Sequence, residues 1–148
     1  MNFVELMRAL SAEAGLKVDW EPVSPVEFTV DGLDVVISLD RRTGEDSIVV
    51  HSQLGEVPAQ RELEVYRILL EANVMWSGTG DATLAVNSAT RQALLCYRMA
   101  MKDLDGPGFV AMVSAFVELA RSWRDFIAVA GEESAAAKVP QRAGMIVG

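Results

Sequence analysis

The chain is 148 residues long, enough for one domain that buries roughly 70% of its unfolded surface. Its 13 Lys and Arg stand against 21 Asp and Glu, and the net charge of −8 sets its long-range field against a phosphate backbone, which argues against nucleic acid as a partner. Half of the residues are apolar (51%, mean hydropathy +0.22), yet no apolar run approaches the roughly 18 residues of a membrane span, so the surplus belongs to a core, an interface or an exposed binding surface.

In chain order, Phe3, Leu6, Met7, Leu10 and Ala14 recur at three- and four-residue steps, which predicts an amphipathic first helix capped by Asn2 and ended by Gly15. Beyond Pro22 and Pro25, Val26, Phe28 and Val30 alternate with polar residues, Asp31-Gly32 supplies a two-residue hairpin turn, and Leu33, Val35, Ile37 and Leu39 resume the alternation. A polar turn from Asp40 to Asp46 leads to a third strand, Ser47 to Gln53, whose inward face stays open because Ile48, Val49 and Val50 are all apolar.

Pro58 fits the first turn of a second helix that runs to Asn73 or Met75. On that helix Gln60, Glu64, Arg67 and Glu71 share one narrow polar stripe, and nearly everything else is apolar or small. A sheet covers one face of a helix, so an apolar surface this wide points to a second partner, and a homodimer seam through Leu63, Tyr66, Leu69, Leu70 and Asn73 is expected; the competing reading, which periodicity alone slightly favours, is the central helix of a monomer core. Ser77-Gly78-Thr79-Gly80-Asp81 breaks the helix, and Ala82 to Val86 with Gln92 to Met101 form a second hairpin across Asn87 to Arg91. Asp105-Gly106-Pro107 opens a third helix, with Gly106 as cap and Pro107 at the first helical position. Its apolar face runs through Phe109, Met112, Val113, Phe116, Leu119 or Ala120, Trp123 and Ile127. Gly131 is expected to end that helix, leaving residues 132–148 as a flexible tail on a single domain of residues 1–131. The resulting class is α+β, in the order α-β-β-β-α-β-β-α, with an antiparallel sheet and packed helices.

No catalytic constellation emerges. The single His51 sits on a strand, which excludes a histidine metal cluster, and the single Cys96 alternates within an apolar strand, where a thiol behaves as a small buried hydrophobe. Gly78-Thr79-Gly80 follows a helix instead of leading from a strand into one, and no Lys-Ser/Thr comes after it, so it is no phosphate cradle. Acidic pairs such as Glu45-Asp46 and Glu132-Glu133 lie on loops or the tail. Neither metal, cofactor nor enzymatic activity is expected. The lone cysteine and the lack of a signal-peptide pattern fit a reducing cytoplasm.

Leu69-Leu70-Glu71-Ala72-Asn73, then Gly78-Thr79-Gly80, then Ala82-Thr83-Leu84 resemble the central signature of the bacterial type III secretion chaperones, the Tir-chaperone family. The order of elements matches over roughly Met1 to Gly131. Asp81 stands where a third glycine is common, and Asn87-Ser88-Ala89-Thr90 replaces the usual Asp-Pro turn with its closing Gly. The resemblance implies a small acidic dimer of the bacterial cytoplasm that holds the unfolded N-terminal segment of a secreted effector. It implies no nucleotide hydrolysis and no membrane insertion, with transient docking to the secretion apparatus. It also implies an apolar client surface on the first helix and first three strands, where Phe3, Met7, Leu10, Val26, Phe28 and Val35 are the candidate contacts. The competing demand on those six side chains is the domain's own core. A second reading keeps the same fold and makes it a regulatory or adaptor module that docks on a folded partner without a role in secretion.

Overall fold

The computed structural model describes residues 2–15 and 25–147, with side chains as far as Glu133. Pro22, read as a marker of the approach to the first strand, lies outside the described residues. Helix α1 (Phe3–Ala14) starts from a reciprocal cap: the Asn2 side chain accepts from the Glu5 N–H at 2.9 Å, and the Glu5 carboxylate accepts from the Asn2 N–H at 2.9 Å. Strands β1 (Val26–Val30) and β2 (Leu33–Asp40) are joined at Asp31-Gly32, whose φ angles of 50° and 77° form the left-handed pair that a two-residue hairpin turn requires.

Strand β3 (Ser47–Glu56) runs three residues past the expected end at Gln53, because a bulge before Gly55 shifts the register and lets pairing with β5 continue to Glu56. It also settles the face left open by the sequence. Ile48 and Val50 are fully buried, while Val49 is half-buried on the opposite side.

A one-turn 3-10 segment (Ala59–Arg61) leads from Pro58 into α2 (Glu62–Asn73), and a second 3-10 turn (Val74–Trp76) leaves it. Strands β4 (Thr83–Asn87) and β5 (Gln92–Ala100) complete an entirely antiparallel five-stranded sheet in the order β1-β2-β3-β5-β4. The chain between β3 and β4 is long enough to carry β4 to the far edge, so β5 returns to pair with β3. Helix α3 (Gly106–Val147) follows a further 3-10 turn (Met101–Asp103), lies across β3 and β2, and packs against α1. Phe109, Val113, Phe116, Ala120 and Ile127 of α3 close the core over Val35, Ile37, Ile48, Val50 and Leu95.

Two expectations about α3 are corrected. The cap is Asp105, whose carboxylate accepts from the Gly108 N–H at 2.7 Å, and Gly106 already lies within the helix. The helix also does not end at Gly131. A mid-helix glycine costs about 1 kcal/mol relative to alanine, and here it is framed by anchored turns: Ile127 and Ala130 are buried before it, and Glu133 pairs with Arg61 after it. The chain beyond Gly131 is nonetheless expected to be dispensable for folding, since the Arg61 pair is exposed on the Glu133 side and such pairs contribute about 0–1 kcal/mol. Truncation after Gly131 should leave the thermal midpoint within a few degrees of the full chain. A large drop in a melting experiment would mean that residues 132–148 belong to the core.

The β2–β3 turn is pinned by charge. Asp40, nearly buried, accepts two hydrogen bonds from the Arg42 guanidinium at 2.9 Å each and one from the Arg42 N–H at 3.0 Å, with Arg98 at 3.5 Å. The Arg42 hydrogen bonds hold this carboxyl well below the usual carboxylate range.

Candidate partner-binding surfaces

Helix α2 turns a different flank inward from the one its composition suggests. Val65 and Leu69 face the core, Leu69 being only 3% exposed, whereas Leu63 and Leu70 stand in solvent at 73% and 67%. Leu63 and Leu70 are seven residues apart and so share one face of the helix. Just past the end of the helix Val74, Met75 and Trp76 are exposed as well, with Met75 the most open at 81%. Met75 and Trp76 have φ angles of 51° and 56°, a region that non-glycine residues occupy at a cost of about 1–3 kcal/mol each. Two consecutive strained residues therefore hold large apolar side chains out into water.

Of the five seam residues expected from the sequence, Leu63 and Leu70 lie on this free face. Tyr66 is half-buried and donates its hydroxyl to Glu62 at 2.7 Å, an interaction that together with burial raises its phenol pKa. Leu69 belongs to the protomer's own core, because the same helix must also close over β4. Asn73 is committed within the chain too: its side-chain amide donates to the Leu84 carbonyl at 2.9 Å, and its side-chain oxygen accepts from the Leu84 N–H at 2.8 Å. Val74, Met75 and Trp76 were not singled out from the sequence. The available signal was an apolar triplet placed where the helix had to stop before a Gly-punctuated loop.

A second surface lies at the other edge of the sheet. A groove of about 490 Å³ opens beside β1, lined among others by Leu10 of α1, Phe28 of β1, and Val113, Val117 and Glu118 of α3. Its floor is held by α3. Arg121 pairs with the Asp31 carboxylate, and Arg124 donates to the Asp31 carbonyl at 2.9 Å, fixing the β1–β2 turn. Because Val30 and Leu33 flank the two-residue turn, Val26, Phe28 and Val30 bond toward β2, and Glu27 and Thr29 turn their N–H and C=O groups outward. Among the described residues nothing pairs with those outward groups.

The six candidate client contacts divide accordingly. Phe3, Met7, Leu10, Val26 and Val35 are buried, at 5% exposure or less, and Phe28 is half-buried. For Phe3 and Met7 the competing demand of the domain's own core is the one met, so they present no exposed contact to a client. Helix α1 has one apolar stripe, and packing against α3 over the sheet uses all of it. Only Leu10 and Phe28 of the set reach the groove. Cys96, expected to be buried, is half-buried on the sheet face away from the helices, and burial pushes its thiol pKa up. Among the described residues no three His, Cys, Asp or Glu side chains gather to hold a metal ion, and no helix is long and apolar enough to cross a membrane.

The fold is α+β, with an exposed apolar helix face on α2 and, among the described residues, an unpaired strand edge at β1. The sequence profile of the Tir chaperone protein (CesT) family matches residues 5–124, and the chain belongs to that family. Solved structures share the fold at low identity, among them the following three. The ExsC-ExsE complex superposes with a TM-score of 0.67 at 16% identity, covering 86% of this chain and 97% of that one. The Yersinia pestis type III secretion chaperone SycH, in complex with a stable fragment of YscM2, gives 0.60 at 18%, covering 80% and 96%. The HopA1-SchA chaperone-effector complex gives 0.63 at 11%, covering 83% and 93%. By sequence alone the chain matches none of the curated proteins with which it was compared.

Proposed function

We propose that the chain is a homodimeric chaperone of a type III secretion system, which binds an extended segment of an effector in the bacterial cytoplasm and keeps it soluble without hydrolysing nucleotide. Family membership supports the class of function, and similarity to a chaperone-effector complex supports an effector as the partner. The observation that carries the mode of binding is the β1 edge, where the outward backbone groups of Glu27 and Thr29 have no partner among the described residues and lie beside a groove of mixed polar and apolar lining.

A strand added there gains main-chain hydrogen bonds that tolerate varied client sequence, while every second client side chain points toward Leu10, Phe28, Val113 and Val117. Holding is then passive. The bound segment is kept from collapse and aggregation in proportion to occupancy, and no energy source is required. The twin in this reading covers the free face of α2, burying Leu63, Leu70, Val74, Met75 and Trp76.

The test is hydrogen exchange on the dimer with and without a co-expressed N-terminal effector segment. Protection should appear at the Glu27 and Thr29 amides when the segment binds. Binding that protects only loops or helix surfaces, or that requires a folded partner, would transfer the chain to the regulatory-module reading.

A further inference from the structure

The two edges of the sheet are not equivalent: α2 packs beside β4, and one of its side chains takes backbone groups of that edge. In β4 the residues paired toward β5 alternate with residues that face outward, and the outward positions are Leu84 and Val86. Both backbone groups of Leu84 are taken by the Asn73 side chain, at 2.8 and 2.9 Å, in the donor–acceptor pattern that a neighbouring strand would present. Just before the strand, the Ala82 N–H turns back to the Thr79 carbonyl at 3.0 Å. Within β4 only Val86 keeps an outward pair without a partner among the described residues.

Asn73 is held in register from behind. The Gly78 N–H donates to the Ala72 carbonyl at 3.0 Å, and Trp123 of α3 donates its indole N–H to the Gly78 carbonyl at 2.9 Å. A Cβ on Gly78 would sit 2.8 Å from the Ala72 side chain, so only glycine allows the loop to press this closely against the end of α2.

We propose that Asn73 closes the β4 edge, so that an extended partner is accepted at the β1 edge alone and the sheet does not grow through β4 into further copies of this chain. An unpaired edge is a template for any strand, and two open edges on one sheet would allow open-ended head-to-tail assembly. A single amide side chain that uses up the central outward pair removes one of them. The claim about client stoichiometry rests on the strand-docking reading above; the claim about self-association does not.

The experiment compares the full-length wild type with Asn73→Ala. The variant should form species larger than wild type that grow with concentration in sedimentation, and its Leu84 amide should exchange roughly tenfold faster, the size expected for one lost hydrogen bond. Adding Ala85→Lys to Asn73→Ala should restore the wild-type mass, because Ala85 is exposed and a charge on an edge strand opposes pairing. With an effector segment present, wild type should bind one strand per protomer and Asn73→Ala a second. A folded Asn73→Ala with wild-type mass at every concentration and unchanged Leu84 exchange overturns the proposal. So does client-induced protection of Val86 in wild type.

If the variant fails to fold, the wild type alone decides. The Asn73 side-chain amide protons should exchange far more slowly than those of the exposed Asn87, and equal rates overturn the proposal. A wild type that binds no extended segment removes the client reading, while the mass and exchange measurements still judge the edge.

Discussion

Leu70→Asp should turn the proposed dimer into a well-folded monomer. Leu70 is 67% exposed in the single chain, so a carboxylate there stays hydrated and leaves the protomer's stability nearly unchanged. In the proposed dimer the same side chain is sealed against the twin, and trapping an unpaired charge in an apolar seam costs several kcal/mol, enough to shift the dimer constant by a thousandfold or more. The adjacent position supplies the control. Leu69 is 3% exposed and faces the core, so Leu69→Asp should abolish folding instead of separating folded subunits. Sedimentation mass at micromolar concentration, read beside the melting curve, distinguishes the two. A wild-type mass equal to one chain, or a dimer that survives Leu70→Asp, would sink the assignment of this face.

The second large effect is a division among the six candidate client contacts. Met7, Phe3 and Val35 are sealed in the core, and truncating each to Ala should cost roughly 2 to 5 kcal/mol of stability through lost burial and an unfilled cavity. Phe28 is half-buried at the groove, so Phe28→Ala should reduce client affinity by about 1 to 3 kcal/mol and disturb stability less. Leu10 serves both demands, being buried and also lining the groove, and its truncation should register in both measurements. A paired scan of melting temperature and client affinity would read the pattern. If Phe28→Ala loses affinity only in proportion to lost stability, or Met7→Ala weakens binding without destabilising the free dimer, the groove beside β1 is not the client site.

Much of this architecture is decided by neighbours in the chain, and there the sequence is sufficient. Asn2 and Glu5 cap each other because they are three residues apart, and Asp31-Gly32 dictates a tight hairpin because its two residues tolerate positive φ. The alternation through Val26–Val30 and Leu33–Leu39 then places the inward residues without ambiguity, and the family signature around Leu69–Leu84 rests on the same local punctuation.

What the tertiary structure alone decided concerns surfaces with more than one claimant. An apolar helix such as α2 has flanks that periodicity cannot rank. Only the position of β4 beside it turned Val65 and Leu69 inward and left Leu63 and Leu70 free. The apolar stripe of α1 could by its spacing meet a client or a core, and α3 took it. Gly131 reads locally as a stop and is overridden by buried Ala130 on one side and the Arg61–Glu133 pair on the other. Asn73, which looked like part of an apolar seam, spends both ends of its amide on a strand eleven residues away. Turns and caps are settled by atoms a few residues apart, whereas the choice of face and the closing of an edge depend on which distant element arrives to compete for the same groups.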